Sequence, residues 1–160
     1  MLARRVVPLR RAWDPATTGY VFIDGTGAPM VASETAGRAG KSPDGRSHTR
    51  EVKIGRFSTQ TRTDHHGHLV LDPDSTSYTA TFDPAHQFGA RLAAEALRRD
   101  FAHAPRLAVV GDGAPWIWSL ADQLWPQARH IVDSYHACHH AVDLANLLTP
   151  LLGPRRDEFA

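Results

Sequence analysis

Cysteine is all but missing: Cys138 stands alone among 160 residues. One thiol cannot build an internal disulfide framework, and such usage fits a reducing compartment, so the expected location is cytoplasmic. Long apolar runs are missing as well. No stretch reaches the roughly 20 residues that a bilayer span needs, and no membrane partner is expected. The opening "MLARRVVPLRR" is basic but lacks the apolar centre of a secretory signal. An excess of one charge is also absent, since 18 Lys and Arg meet 17 Asp and Glu for a net charge of +1. Composition alone therefore assigns no nucleic-acid partner, although a local basic patch is compatible with it. What is plentiful is apolar material, 42% of the chain, enough for one domain with a real core.

Residues 1–19 form a basic lead-in with no clear period. "YVFID" (20–24) has the unbroken apolar character of a strand buried on both faces. Residues 25–49 are rich in Gly, Ser, Thr and Pro and read as loop, with a short strand at Met30–Ala32. "REVKIGRFSTQTR" (50–62) alternates, with Val52, Ile54 and Phe57 on its apolar side, and predicts a second strand. A turn-rich connection (63–75) leads to a third, "TSYTATF" (76–82). The period then changes. Asp83 and Pro84 read as N-cap and first helical residue, and Phe88, Leu92 and Ala96 recur every four residues, predicting a helix over about 84–102. "RLAVV" (106–110) predicts a strand, "WIWSLADQLW" (116–125) a helix, "RHIVDSY" (129–135) a strand and 136–148 a last helix. The order β-β-β-α-β-α-β-α predicts an α/β fold, with a mixed sheet antiparallel at one edge and parallel at the other.

Aspartates recur at the ends of the apolar strands. "VFIDGTG" supplies Asp24, "AVVGDGA" supplies Asp112, and "HIVDSYH" supplies Asp133 with His136 three residues on. On neighbouring strands about 4.8 Å apart, Asp24 and Asp112 would bring their carboxylates together. Two such charges repel unless they share a proton or a cation lies between them. Mg²⁺ takes oxygen ligands and keeps several waters, and ion pairs about 3.5–4 Å apart serve phosphoryl-transfer chemistry. The competing reading is that each Asp-Gly simply forms a turn.

Other constellations carry less. "DHHGH" (64–68) and "HACHH" (136–140) hold imidazoles and a thiolate suited to zinc, but the spacings match no standard finger, so exposed polar segments are expected. Cys138 then reads as a half-buried apolar residue. "GTGAPMVASETAGRAGK" lacks P-loop spacing. The tryptophans of "PWIW" read as core anchors.

Five blocks in order, "VFIDGTGAPMV", "TREVKIGRFSTQT", "DPDSTSY", "GDGAPWIWSLA" and "IVDSYHACHH", resemble the catalytic core of bacterial insertion-sequence transposases. The chain is most similar to the Kra-type group, distantly Mutator-like, over about residues 20–148. The resemblance implies an RNase H-like mixed sheet of about five strands with flanking helices. It implies DDE chemistry, in which Asp24 and Asp112 hold a two-ion Mg²⁺ (or Mn²⁺) site, a phosphodiester is hydrolysed at the element's end, and the freed 3′-hydroxyl attacks target DNA. Asp133 and His136 match the family's Asp-x-x-His and would support the site. Arg38, Lys41, Arg46, Arg50 and Lys53 would hold the DNA backbone and make binding depend on salt. The family's third acid is a glutamate on a later helix. The expectation is therefore a truncated catalytic domain, inactive alone, with 149–160 a frayed tail and an apolar face left open to which Trp116, Leu120 and Leu124 contribute. Self-association, or pairing with full-length transposase, would cover that face. Two alternatives stand beside this one: a non-catalytic nucleic-acid-binding or dimerisation remnant, and a small RNase H-like nuclease using Glu158 as its last ligand.

Overall fold

A computed structural model describes residues 13–40 and 43–152. Its centre is strand β1 (Thr18–Pro29), whose β-branched and aromatic start alternates between two faces. Val21 and Ile23 point to one side and are fully buried, while Tyr20, Phe22 and Asp24 point to the other. Antiparallel to β1 runs β2 (Thr49–Gln60), paired from Thr18↔Gln60 to Pro29↔Thr49. A two-stranded hairpin, β3 (Arg62–Thr63) and β4 (Leu69–Val70), leads to β5 (Ser77–Thr81), which closes that edge against β2. On the other side of β1 lie β6 (Arg106–Gly111) and β7 (Arg129–Val132), both parallel. The five-stranded sheet has the order β5-β2-β1-β6-β7, antiparallel at one edge and parallel at the other. The predicted α/β mixed sheet of about five strands with flanking helices is the observed architecture.

Besides the short α1 (Ala32–Thr35), two helices cover one face of the sheet: α2 (Ala85–Arg98), followed by a 3₁₀ turn at Phe101–His103, and α3 (Pro115–Leu124). Phe88, Leu92 and Ala96 of α2 meet Ile117, Leu120 and Ala121 of α3 over Val21, Ile23, Phe57 and Val109. Gly55 makes this possible, because a Cβ there would lie 2.4 Å from Leu92 Cδ2 and 3.4 Å from the Phe88 ring. The last helix, α4 (Ser134–Leu152), begins directly after β7 and leaves the body. From Ser134 to Leu148 every side chain except His136 is exposed. Among the described residues no helix is long and apolar enough to cross a membrane.

Several boundaries move. β1 does not stop at Asp24 but continues through Gly-Thr-Gly to Pro29, held by β2, so Asp24 lies within a strand. The strand expected at Met30–Ala32 is absent, and Ala32 begins α1 instead. Pro84, not Asp83, takes the cap position of α2, and Asp83 accepts hydrogen bonds from Thr81 Oγ1 (2.5 Å) and Arg91 Nη2 (3.0 Å). β7 ends at Val132, and α4 runs through 149–152, four residues of the expected tail. Residues 1–12 and 153–160, and with them Asp157 and Glu158, lie outside the described residues. The exposed apolar face is not built from α3 either. Leu120 is buried, and Trp116 and Leu124 pack against the core, as the anchor reading of "PWIW" expects.

A half-buried polar cluster ties α2 to β5 and β2. Glu95 accepts from Ser77 Oγ and from Arg98 Nε (2.8 Å), while Arg99 donates to Phe57 O and Ser77 Oγ, both at 2.9 Å. Burial raises the Glu95 pKa, but hydrogen bonds from Arg98 and Ser77 outweigh it and hold the carboxyl below its ordinary 4.5. A depressed carboxyl stabilises the fold fully above its unfolded pKa and loses that contribution as pH falls through the folded value. Glu95→Gln should accordingly flatten the loss of melting temperature that the wild type shows on acidification below pH 4.5. A variant whose acid profile overlays the wild type would contradict this.

Candidate active site

Ile23, Gly111 and Val132 form one row across the three adjacent parallel strands β1, β6 and β7. The next residue on each strand is an aspartate: Asp24, Asp112 and Asp133. The register is kept one step further, since Asp133 N donates to Gly111 O at 2.8 Å. Neighbouring backbones in such a row stand about 4.8 Å apart. This is the carboxyl edge of the parallel strands, beside β1, where the sheet changes from antiparallel to parallel. Open α/β sheets bind ligands at such switch points.

Each carboxylate meets a different environment. Asp24 is exposed and forms no hydrogen bond or ion pair among the described residues. Asp112 is half-buried, and its Oδ1 accepts from Ala114 N at 2.8 Å, shaping the turn into α3. Gly113 follows at φ +100°, a conformation that glycine adopts without penalty. Asp133 caps α4: its Oδ1 accepts from Tyr135 N (2.8 Å) and its carbonyl from Ala137 N (2.9 Å). His136, one turn on, holds Nδ1 3.7 Å from Asp133 Oδ1, and that nitrogen is buried without a hydrogen-bond partner. Two of the three aspartates thus have a structural duty, Asp112 in the turn before α3 and Asp133 as the cap of α4. Among the described residues no group of three or more His, Cys, Asp or Glu side chains converges closely enough to hold a metal ion.

The basic residues do not share one surface. Arg38 and Arg46 line an open hollow in the β1–β2 connection, beside Thr35 and His48. Arg50 approaches Glu34 Oε2 (3.9 Å) and stacks over Phe82, 4.8 Å from the ring centroid. Lys53 alternates to the helix-covered face, where it is buried, bonded to Glu51 (2.5 Å) and set 5.5 Å from the Trp116 ring. That neighbourhood removes Lys53 from a surface shared with Arg50. Lys41 lies outside the described residues. "DHHGH" is the tip of the β3–β4 hairpin, folded around Asp64, which accepts from His66 N and His68 N, each at 2.8 Å. "HACHH" forms the first turns of α4, and Cys138 is exposed there rather than half-buried.

Sequence reasoning passed over Arg56. Its guanidinium lies 4.7 Å above the Phe22 ring, on the sheet face opposite the helices. The signal was available, because period-2 alternation sets Arg56 on the same face as Arg50, Val52 and Ile54. Comparison with protein-family models, curated proteins and solved structures finds no match.

Proposed function

We propose that the chain is the catalytic domain of a DDE-type DNA transposase, with an RNase H-like core, acting on the ends of an insertion sequence. The observation that carries the reading is the row of Asp24, Asp112 and Asp133 at the carboxyl edge of three parallel strands. The resemblance of five sequence blocks to the Kra-type transposases supports it independently. Donor chemistry fits a hard divalent cation: Asp24 is uncommitted, and Asp112 Oδ2 takes no hydrogen bond among the described residues. Asp24 and Asp112 would hold Mg²⁺ or Mn²⁺, which when bound lowers the pKa of water and offsets charge on a phosphodiester. Asp133 orients α4 and His136 beside that row. No described residue is assigned the role of a third acid, so weak metal binding is expected.

Calorimetric titration with Mn²⁺ tests the reading. Wild-type protein should give weak saturable heats and Asp24→Asn none. Equal heats from the two would sink it. A second reading, a nucleic-acid-binding remnant without chemistry, draws on the backbone hydrogen bonds that Asp112 and Asp133 accept. It predicts DNA binding with no Mn²⁺ heat in either protein.

A further inference from the structure

We propose that the open face of the sheet carries the phosphodiester backbone of the nucleic acid, with Arg56 as the residue that positions a phosphate beside Asp24. The inference rests on the transposase reading and adds to it a surface and a residue. The face opposite the helices carries Tyr20 and Phe22 from β1, Ile54 and Arg56 from β2, Tyr78 from β5 and Ile131 from β7. Helix α4 does not cover it, being exposed along almost its whole length. Tyr78 is 67% exposed and Phe82, just beyond β5, is 43% exposed.

Arg56 differs from the other cations of β2 and from those of α2. Arg50, Lys53, Arg91 and Arg98 each meet a carboxylate, and Arg99 is spent on backbone carbonyls and Ser77. Arg56 forms no ion pair among the described residues, and its Nε is buried with no acceptor. A donor shielded from water and left unbonded is costly, and an incoming oxyanion relieves the cost. Stacking on Phe22 fixes the guanidinium plane, which matches a phosphate with paired N–H donors. Asp24 stands directly opposite Ile54, so Arg56 is its diagonal neighbour on the same face, about 7–8 Å away across the ladder. A backbone held there has one phosphate on Arg56 and another at the aspartate row. Arg129 is a further cation of this face. It pairs in register with Ala108, and no ion pair engages it among the described residues. The exposed aromatic rings offer surfaces on which unpaired bases can stack.

The test is fluorescence anisotropy with a labelled DNA duplex in EDTA, across a salt series, on the full chain. Arg56→Gln should bind about tenfold more weakly, with the slope of log affinity against log salt reduced by about one. Arg56→Lys keeps the charge and should retain the wild-type slope while recovering only part of the affinity. Arg91→Gln, on the helix side, is the control for general charge and should bind as the wild type does. The proposal is overturned if Arg56→Gln matches the wild type at every salt concentration. It is overturned equally if Arg56→Lys loses as much as Arg56→Gln, which marks a structural role. If either happens while Asp24→Asn still abolishes Mn²⁺ heats, the transposase reading survives and only the surface assignment falls. If wild-type protein binds no DNA, both fall; if the open face instead joins two copies of the chain in solution, only the surface assignment falls.

Discussion

Phe57→Ala should lower the unfolding free energy by about 3–5 kcal/mol, the largest loss expected from any single substitution in this chain. Phe57 has no accessible surface. Its ring meets Phe101 edge-to-face at 5.2 Å and Trp125 in the same manner at 6.2 Å, so truncation removes two aromatic contacts as well as buried area. The neighbours cannot close the cavity easily. Phe101 is held from its far side by Trp13 at 5.3 Å, and Trp13 is itself fixed by a 2.9 Å hydrogen bond to Asp100 O. Against a typical total of about 5–15 kcal/mol, such a loss leaves little margin. Denaturant titration should show a lower midpoint at unchanged slope. A cost below about 1 kcal/mol would mean that the aromatic cluster is not the keystone described.

Gly111→Val should damage stability and metal binding together. A Cβ at Gly111 would lie 2.9 Å from Ile117 Cγ2, 3.3 Å from its Cδ1 and 3.4 Å from Ile23 O. Ile117 is fully buried and branched at Cβ, so its Cγ2 methyl has nowhere to turn. Overpacking of this kind costs about 1–3 kcal/mol. The strain falls at a sensitive point, because Gly111 precedes Asp112 and its carbonyl accepts from Asp133 N. Any shift of the backbone away from α3 moves two aspartates of the row. A thermal melt and a Mn²⁺ titration on the same sample check both halves. Full stability with intact heats would show that the row does not depend on this close approach.

The order of elements was legible because the hydrophobic period changes cleanly at Asp83, from strand-like alternation to Phe88, Leu92 and Ala96 on one helical stripe. The aspartates were legible as a set because each follows a short apolar run. Less legible was what happens after Asp24. Gly-Thr-Gly carries turn chemistry locally, yet β2 supplies a partner as far as Thr49, and pairing overrides the local preference. Val52, Ile54 and Phe57 were grouped on one side, which a period of two forbids. Gly55 resolves the conflict: with no side chain of its own it admits Leu92, so Gly55 and Phe57 face the core while Val52 and Ile54 face outward. Arg56 escaped notice for the same reason, since its face was assigned to the interior. The turn bond of Asp112 and the cap of Asp133 depend on where α3 and α4 begin, and helix boundaries are set by a few backbone hydrogen bonds that periodicity does not register.

The β1–β2 hairpin outruns its neighbour. β6 stops at Gly111, opposite Ile23, whereas β1 continues to Pro29. Beyond Ile23, then, one side of β1 has no strand partner among the described residues and presents amide and carbonyl groups that another extended chain could copy onto itself. Gly25 and Gly27 weaken such templating by giving an added strand no side chains to pack against, and Pro29 ends it by having no N–H to offer. The composition that reads at first as a loop thus works as a guard against edge-to-edge aggregation, and substituting β-branched residues at 25 and 27 would remove it.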